Sequence, residues 1–570
     1  MSSSTTTAES QNQFPVWTWL TTSRIRLRQQ SVPRPTRWQI AGWVAVLVVA
    51  SFISLHDYDS FQLAAYRDDA VYIILARSLV HGPTYGFVNQ PDVLSARTFP
   101  FGFPLLLTPV EVLFPETPTI YPVISLIATW LNIALLFWGW PWFNRRSSHW
   151  WGLATTALYA LSPLTIGHTR ATMSEPAFLC ACLSAMLLTE RYEQANSDIR
   201  WLLGLAVASV FVLFTRTVGI AFAVAIVANL LYVHGRSIWK ALVGLIISFV
   251  SIIALIIAIT PLTVSDLMMP TERYLQEYEA FVSDQDRHPT LTGLSYSEAV
   301  FSLAERHVRR AWRPVLLPIG GGASEQQLFT NWRLPWIPVA VNISLVTLTL
   351  FGAAVELRRS GPALFWTSAF AYYGLISLWN WGGSRFLYPI QPQLYFGFLV
   401  GVWQVYRWLT SLFKNNLWLL HLARWGLIAA AIGWGSLFIF RSWTITNSRS
   451  HLGDVALRTE WLRANIEADA IVLTEVPDID YIYGQRSTLP FPNPALTPAE
   501  LLVFLQANRV NYVLVAPFST WQETYVPSYT AQMTALIPEL EQLAKAGQLQ
   551  KIYDSPADMI AVYKVVKFRP

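Results

Sequence analysis

The chain has 570 residues, 53% of them hydrophobic and only 13% charged, and its mean hydropathy is +0.36. A soluble globular chain carries about 25% charged residues, so the composition excludes an ordinary soluble protein and points to a polytopic membrane protein. The net charge of +5 sits mostly on short segments between apolar runs, which is a topology signal and gives no evidence for nucleic-acid binding.

The first 37 residues are rich in Ser, Thr and Gln and read as a disordered cytoplasmic N-terminus. They lack the short apolar core and small-residue site of a cleaved signal peptide, so the first apolar run reads as an uncleaved anchor. A membrane helix needs roughly 20 apolar residues. Eleven candidate runs follow, near 38–55, 118–143, 149–166, 173–189, 201–215, 217–233, 241–260, 335–357, 361–380, 386–405 and 417–440. The fifth and sixth are short and are parted only by "TRT" at 215–217. The 26 Trp and 23 Tyr suit aromatic belts at the two membrane interfaces. Cys180 and Cys182 fall inside an apolar run, two positions apart, and point to different faces of a helix.

With the N-terminus in the cytoplasm, the short inner segments hold most of the basic residues, among them Arg34, Arg37, Arg145, Arg146, Arg200, Arg236, Lys240, Arg358 and Arg359. The short outer segments hold Arg67, Arg77, Arg97, Arg170, Arg216 and Arg385. This satisfies the positive-inside rule, and an odd number of spans puts the C-terminus outside the cell. The expectation is an integral protein of the plasma membrane, with a transmembrane domain over 38–440.

Two outer loops are large. The first, 56–117, contains "AYRDDAVYIILARSL" and "FPFGFPLLLTPVEVLF"; the prolines and Glu111 of the latter argue for a re-entrant or interfacial piece. The second, 261–334, contains "TERYLQEYEAF", an expected interfacial helix with Tyr274, Leu275, Tyr278 and Phe281 on one side, and "IGGGAS", where a lid could hinge. The tail, 450–570, turns soluble in composition. "AIVLTEV" and "VNYVLVA" read as buried strands. "TPAELLVFLQANR" opens a helix with a capping box from Thr497 to Glu500 and Pro498 at the first helical position. A further helix and the strands "LQKIYDS" and "MIAVYKVV" complete a small α/β domain with a partly parallel sheet. No glycine-rich loop follows its first strand, so nucleotide binding has no support.

The candidate chemistry collects on the outer side. After Asp69, Val71, Ile74, Leu75 and Leu79 recur at helical spacing and predict an amphipathic interfacial helix. Asp68 and Asp69 stand at its N-terminus, where Asp is a favoured cap. One cap needs one Asp, and the second carboxylate is open to work as a proton acceptor. "HDYDS" offers Asp57 and Asp59 in a D-x-D pattern, but three residues are a weak signal and polar residues at a membrane boundary explain it better. In "TRATMSEPAFLCACL", Glu175 precedes Pro176 at a helix start and reads either as a first-turn acid or as a second cavity-facing acid. Arg216 and Arg385 run against the inside bias. Each reads either as a snorkelling side chain or as a clamp on an anionic headgroup. His168 and His307 lack metal-ligand spacing, and no nucleophile elbow, H-E-x-x-H motif or P-loop is present.

The segments "YRDDAVYIILARSLVHG", "FGFPLLLTPVEVLFP", "SPLTIGHTRATMSEPAFLCACLSAMLL", "RTVGIAFAVAIVANLL" and "RFLYPIQPQLYFGFLV" occur in an order that resembles the GT-C glycosyltransferases. The resemblance is to the protein O-mannosyltransferase-like branch, which includes the lipid A aminoarabinose transferases, and covers residues 38–405. It implies a GT-C-like membrane core with a soluble extracytoplasmic domain after it, and hexosyl or pentosyl transfer from a polyprenyl-phosphate sugar. Asp68 matches the family's first-loop Asp that activates the acceptor, with Asp69 where Glu is usual. Glu175 matches the acid that opens the fourth helix, where Asp is commoner. Arg385, Phe386 and Pro389 match an R-Y-x-x-P pattern, with Phe in place of Tyr, and Arg385 would face the donor phosphate. Where the aminoarabinose transferases carry an acidic residue near the end of the first loop, "LSARTFPFGFP" offers Arg97; no ligand motif supports a divalent metal.

The expected activity is therefore membrane glycosyl transfer to an acceptor hydroxyl on a lipid, glycan or protein. Asp68, Asp69 and Glu175 are the candidate catalytic acids, and Arg385 and Arg216 the candidate donor-phosphate ligands. A secondary transporter or lipid flippase, and a non-enzymatic envelope scaffold, are the competing classes.

Overall fold

The computed structural model describes residues 34–56, 58, 68–96, 98–144, 148–194, 198–234, 239–285, 287, 290–310, 312–316, 336–360, 363–378, 384–413, 415–447, 453–492, 496–517 and 531–566. Asp57, Asp59, Arg97, the "IGGGAS" segment and all but the last few residues of the N-terminal segment lie outside these, as does the side chain of His307.

The membrane part is helical throughout, and each of the eleven apolar runs carries helix. Helix α1 (Arg37–Leu55) opens with a capping box in which Thr36 N donates to Gln39 Oε1 at 2.8 Å. Two helices of the first loop follow, α2 (Asp68–His81) and α3 (Gly102–Leu113), with a short hairpin pairing Gly86–Phe87 and Leu94–Ser95 between them. The series continues with α4 (Pro122–Trp138), α5 (His149–Ala160), α6 (Pro163–Thr169), α7 (Ser174–Gln194), α8 (Ile199–Thr215), α9 (Ile220–His234) and α10 (Trp239–Ile259). The second loop folds into α11 (Val264–Val282) and α12 (Tyr296–Arg310), and the core closes with α13 (Trp336–Ser360), α14 (Leu364–Ile376), α15 (Gln391–Leu412) and α16 (Leu417–Asn447).

Among the described residues, five helical stretches are long and apolar enough to cross a membrane: Arg37–Leu55, Pro118–Trp138, Ala241–Ile259, Ala340–Arg359 and Leu417–Thr444. The α6–α7 pair, bent by 108°, makes a sixth if taken as one span. Helices α8, α9 and α14 have 17, 15 and 13 residues and fall short of the roughly 20 a span needs. Helix α15 is long enough at 22 residues, but Gln391, Gln393, Gln404 and Arg407 lower its apolarity. It packs on α13 backbone to backbone: a Cβ on Gly352 would collide with the carbonyl of Gly397. Small residues permit such close helix contact in a membrane core.

The C-terminal domain comprises α17 (Gly453–Asn465), β1 (Ile471–Thr474), α18 (Pro477–Gly484), β2 (Ser487–Pro490), α19 (Pro498–Ala507), β3 (Tyr512–Val515), α20 (Ala531–Lys545), β4 (Leu549–Ser555) and β5 (Ile560–Val565). The strand order is β2-β1-β3-β5-β4, with β2, β1 and β3 parallel and β5 and β4 antiparallel. All four residues of β3 are buried, as an unbroken apolar run in a central strand requires. The Thr497–Glu500 capping box forms as expected, with Thr497 N donating to Glu500 Oε2 at 2.9 Å. Strand β2 and helix α18, both carried by segments without a strong periodic signal, are additions to the sequence expectation.

This domain sits directly on the first loop. Val455, Val476, Ile479 and Ile482 share one apolar cluster with Ala70, Tyr72, Ile73 and Ile74 of α2. Thr488 N donates to Asn89 O at 2.8 Å, and the Asn89 side chain is buried between Asp478 and Thr488. The opposite side of α2, at Val71, Leu75 and Leu79, packs into a cluster with Val210, Ile256 and Leu262. Helix α2 is therefore buried all round, where its periodicity predicted one face in the membrane interface; the C-terminal domain supplies the second cover. In α11, Leu275 and Tyr278 are exposed, whereas Phe281 turns inward to Leu291, Ala299 and Leu303.

Candidate functional site

Four charged side chains meet at breaks between helices. Asp68 is the first residue of α2. Glu175 is the second of α7, just after the 108° bend from α6. Arg216 has extended backbone between α8 and a 3-10 turn at Thr217–Gly219. Arg385 lies in a 3-10 segment, Ser384–Ile390, that leads into α15. Broken helix ends free backbone and side-chain polar groups, and within a membrane protein they persist where protein surrounds them or a cavity is lined.

The four form two ion pairs of different accessibility. Arg385 Nη2 donates to Asp68 Oδ2 at 2.8 Å, and the two side chains are 27% and 28% exposed. Arg216 Nη1 stands 2.5 Å from Glu175 Oε1, with exposures of 15% and 0%. A bound molecule can therefore reach Asp68 and Arg385, while Glu175 is closed off and anchors Arg216 from behind. Phe386 lies between the guanidiniums, its ring centre 5.2 Å from Arg385 Cζ and 6.0 Å from that of Arg216. The aromatic face favours both cations.

Burial pushes the Asp68 carboxyl above the usual Asp range; Arg385 and Arg216 pull it down, and Glu175 pushes it further up. A carboxylate with raised proton affinity is a better proton acceptor near neutral pH. The anion that acts on Asp68 from nearby is thus Glu175, on another helix. Asp69 is fully buried, and its Oδ1 accepts the Ala70 N–H at 2.9 Å. The two neighbours differ in their contacts: Asp69 bonds to the backbone at the helix start and Asp68 faces Arg385.

Two further residues belong to this cluster. Tyr72 lies one turn after Asp68 on the same face of α2, and its hydroxyl is 3.0 Å from Ser174 Oγ. Arg216 Nη1 donates to the same Ser174 Oγ at 3.2 Å. The i,i+4 spacing of Asp68 and Tyr72 was the one signal that could have found it; Ser174 was visible only as the neighbour of Glu175. Below the site His168 is buried, its Nδ1 2.8 Å from Leu164 O and its ring against Tyr388. Among the described residues, no group of three His, Cys, Asp or Glu side chains could hold a metal ion.

Backbone packing fixes the Arg216 turn. A Cβ on Gly102, the first residue of α3, would lie 2.6 Å from the backbone carbonyl of Phe214. The first loop thus abuts the chain two residues before Arg216, and α2 and α3 bring Asp68 and Arg216 into one assembly.

The sequence matches no family model and no curated relative. The fold has clear counterparts among solved structures. The ArnT structure from Cupriavidus metallidurans in the apo state superposes with a TM-score of 0.55 at 13% identity, over 92% of this chain and 98% of that one. The same protein bound to undecaprenyl phosphate gives 0.52 at 12% identity, over 93% and 98%. The apo oligosaccharyltransferase of Archaeoglobus fulgidus gives 0.54 at 11% identity, over 84% and 69%. The chain is an integral membrane protein whose helical core and C-terminal mixed-sheet domain fold like these GT-C glycosyltransferases.

Proposed function

We propose that the protein is a membrane glycosyltransferase that moves a sugar from a polyprenyl-phosphate donor to an acceptor hydroxyl. The observation that carries this reading is the accessible Asp68–Arg385 pair backed by the closed Glu175–Arg216 pair. In this reading Asp68, whose proton affinity burial raises, is the proton acceptor, and the guanidinium beside it is suited to a phosphate. The likeness to ArnT bound to undecaprenyl phosphate supports a polyprenyl-phosphate ligand. In the full reading all eleven apolar helices cross or enter the plasma membrane, the N-terminus is cytoplasmic, and the site and C-terminal domain face the outside.

The reaction is a single displacement. The donor phosphate engages Arg385, with Arg216 behind it, and draws Arg385 away from Asp68. Asp68 loses its counter-ion as the acceptor arrives, and its proton affinity rises when a base is needed. The acceptor oxygen attacks the anomeric carbon, its proton passes to Asp68, and the bond from that carbon to the phosphate oxygen breaks. The polyprenyl phosphate leaves with its charge held by the two guanidiniums. One base and one displacement invert the anomeric configuration. Asp69 supports the position of Asp68 through the helix start, and Glu175 sets Arg216.

Broken helices would suit a transporter, but the four charges gather together at the start of α2, which packs on the C-terminal domain, and a transporter's charges belong near the midplane. The test is an assay of purified protein with a panel of polyprenyl-phosphate sugars, comparing wild type with Asp68→Asn. Transfer of one sugar that falls by about 10²–10⁴-fold in the variant is expected. Undiminished transfer in a correctly inserted Asp68→Asn protein would sink the reading.

A further inference from the structure

A cavity lies at the other end of α2 from Asp68, where the first loop meets the C-terminal domain. It is a cleft of about 420 Å³ between the end of α2, the end of α3 and helix α18. Its floor is a buried carboxylate, Glu111, held from two sides. Arg77 Nε donates to Glu111 Oε2 at 3.3 Å, and Tyr121 OH donates to the same oxygen. His81 Nε2 lies 3.3 Å from Glu111 Oε1 on the open side, with its ring 61% exposed against 2% for Glu111. The Tyr481 ring forms the wall on the domain side, with Arg77 Cζ 5.4 Å from its centre. Gln485, in left-handed backbone just after α18, adds an amide at the rim.

The lining narrows the ligand. A phosphate or sulfate entering here would meet Glu111 and Glu116 together, and the Arg77 guanidinium and His81 ring that could bind it already face Glu111. An acyl chain needs a continuous apolar wall, and the cleft offers only Val88, two prolines and the Tyr481 ring, set between charged groups. An uncharged, hydroxyl-rich ligand fits all the parts. Glu116, Gln485 and the exposed His81 ring offer hydrogen-bonding groups at the mouth, Arg77, tied to Glu111 and to Pro115 O, closes the floor, and Tyr481 supplies an aromatic wall for ring C–H groups.

We propose that this cleft is a binding subsite for a neutral carbohydrate chain, the remote part of the acceptor. The proposal rests on the transferase reading. Arg77 is nine residues beyond Asp68 in one continuous helix, about 14 Å along its axis. Because α2 is buried between the two ends, a molecule held in the cleft while presenting a hydroxyl at Asp68 passes around the helix, and is therefore an extended oligosaccharide, longer than a single sugar. Binding energy gained so far from the reacting centre orients the acceptor hydroxyl at the base. The C-terminal domain then has a task in substrate choice, because Tyr481 and Gln485 belong to it.

The experiment measures binding without turnover. The full-length protein in detergent is titrated with linear tetrasaccharides of glucose, mannose, galactose or N-acetylglucosamine, and separately with inorganic phosphate, followed by saturation-transfer NMR. Saturable binding of at least one tetrasaccharide is expected. It should weaken at least tenfold in Tyr481→Leu and in the His81→Ala, Gln485→Ala double variant, and stay unchanged in Asp68→Asn. Melting temperatures check that each variant is folded; the exposed His81 and the rim Gln485 keep the test valid if Tyr481→Leu is not. No tetrasaccharide binding, binding indifferent to these substitutions, or tighter binding of inorganic phosphate would overturn the proposal. An inactive protein that still binds a tetrasaccharide in the cleft would count against the transferase reading alone.

Discussion

Asp68 and Arg385 lie 317 positions apart in the chain and meet through a 2.8 Å ion pair, each side chain a little over one quarter exposed. The pair is half open: enough solvent reaches it for a ligand to compete, yet burial still raises the proton affinity of the carboxylate. A pair of this kind can be opened by a phosphate in a way that the closed Glu175–Arg216 pair cannot.

Arg385→Lys separates charge from geometry. Lysine keeps the positive charge next to Asp68 but loses the planar fork that binds two oxygens at once. The donor KM should rise about tenfold or more, while the KM for the acceptor changes little. Steady-state kinetics with donor and acceptor varied in turn check this; equal change in both would argue that Arg385 does not contact the donor.

The pH profile carries the signs of the surrounding charges. Asp68 must be ionised to accept a proton, and its raised pKa moves the acid limb of kcat/KM above the ordinary Asp value of about 3.9. Arg385 lowers the Asp68 pKa, so Arg385→Gln should move that limb to higher pH. Glu175 raises it, so Glu175→Gln should move the limb to lower pH. Opposite shifts in the two variants are the expected result of pH–rate measurements, and shifts in the same direction would contradict the assigned cluster.

The closed pair makes a prediction about stability. Glu175→Gln leaves Arg216, 15% exposed, without its counter-charge. Breaking a buried pair by removing one partner costs about 3–5 kcal/mol, much of it from the uncompensated charge left behind. The double variant Glu175→Gln, Arg216→Met should recover a large part of that loss. A double-mutant cycle of unfolding measurements in detergent gives the coupling, and a near-additive result would show that the two side chains act independently.

The elements that were legible in the sequence are those set by local pattern. Helix α2 and its acidic start, the Thr497–Glu500 capping box and four strands of the terminal sheet all follow from spacing and residue type. The candidates Asp68, Asp69, Glu175, Arg216 and Arg385 rest on residue type and expected outer placement together with the resemblance, and the fold pairs four of them. What was not legible depends on distant packing. The burial of both faces of α2 comes from Val210, Ile256 and Leu262 on one side and from Ile479 and Ile482, some 400 positions downstream, on the other. The split of roles between Asp68 and Asp69 depends on Arg385 arriving on one side only. The cleft at Tyr481 needs three separate segments to exist at all.

The seam between the domains braces the turns of α2 that follow Asp68. Ile479 and Ile482 are 2% and 1% exposed and pack on Ala70, Tyr72, Ile73 and Ile74, the turns of α2 that follow Asp68. Asn89 ties the loop to the same domain through the Thr488 N–H and the Asp478 carboxylate. Ile482→Ala removes a buried side chain from that seam, with a cost of about 2–5 kcal/mol if the cavity does not collapse. The loss should be local. Amides of α2 should exchange with solvent faster, while those of the central strand Tyr512–Val515, which packs in other clusters, keep their protection. A loosened α2 also moves Asp68 relative to Arg385, so kcat should fall more than the donor KM rises. Hydrogen-exchange mass spectrometry and steady-state kinetics on the same preparation read both effects. Faster exchange throughout the C-terminal domain with α2 unchanged would mean that the domain does not brace the catalytic helix.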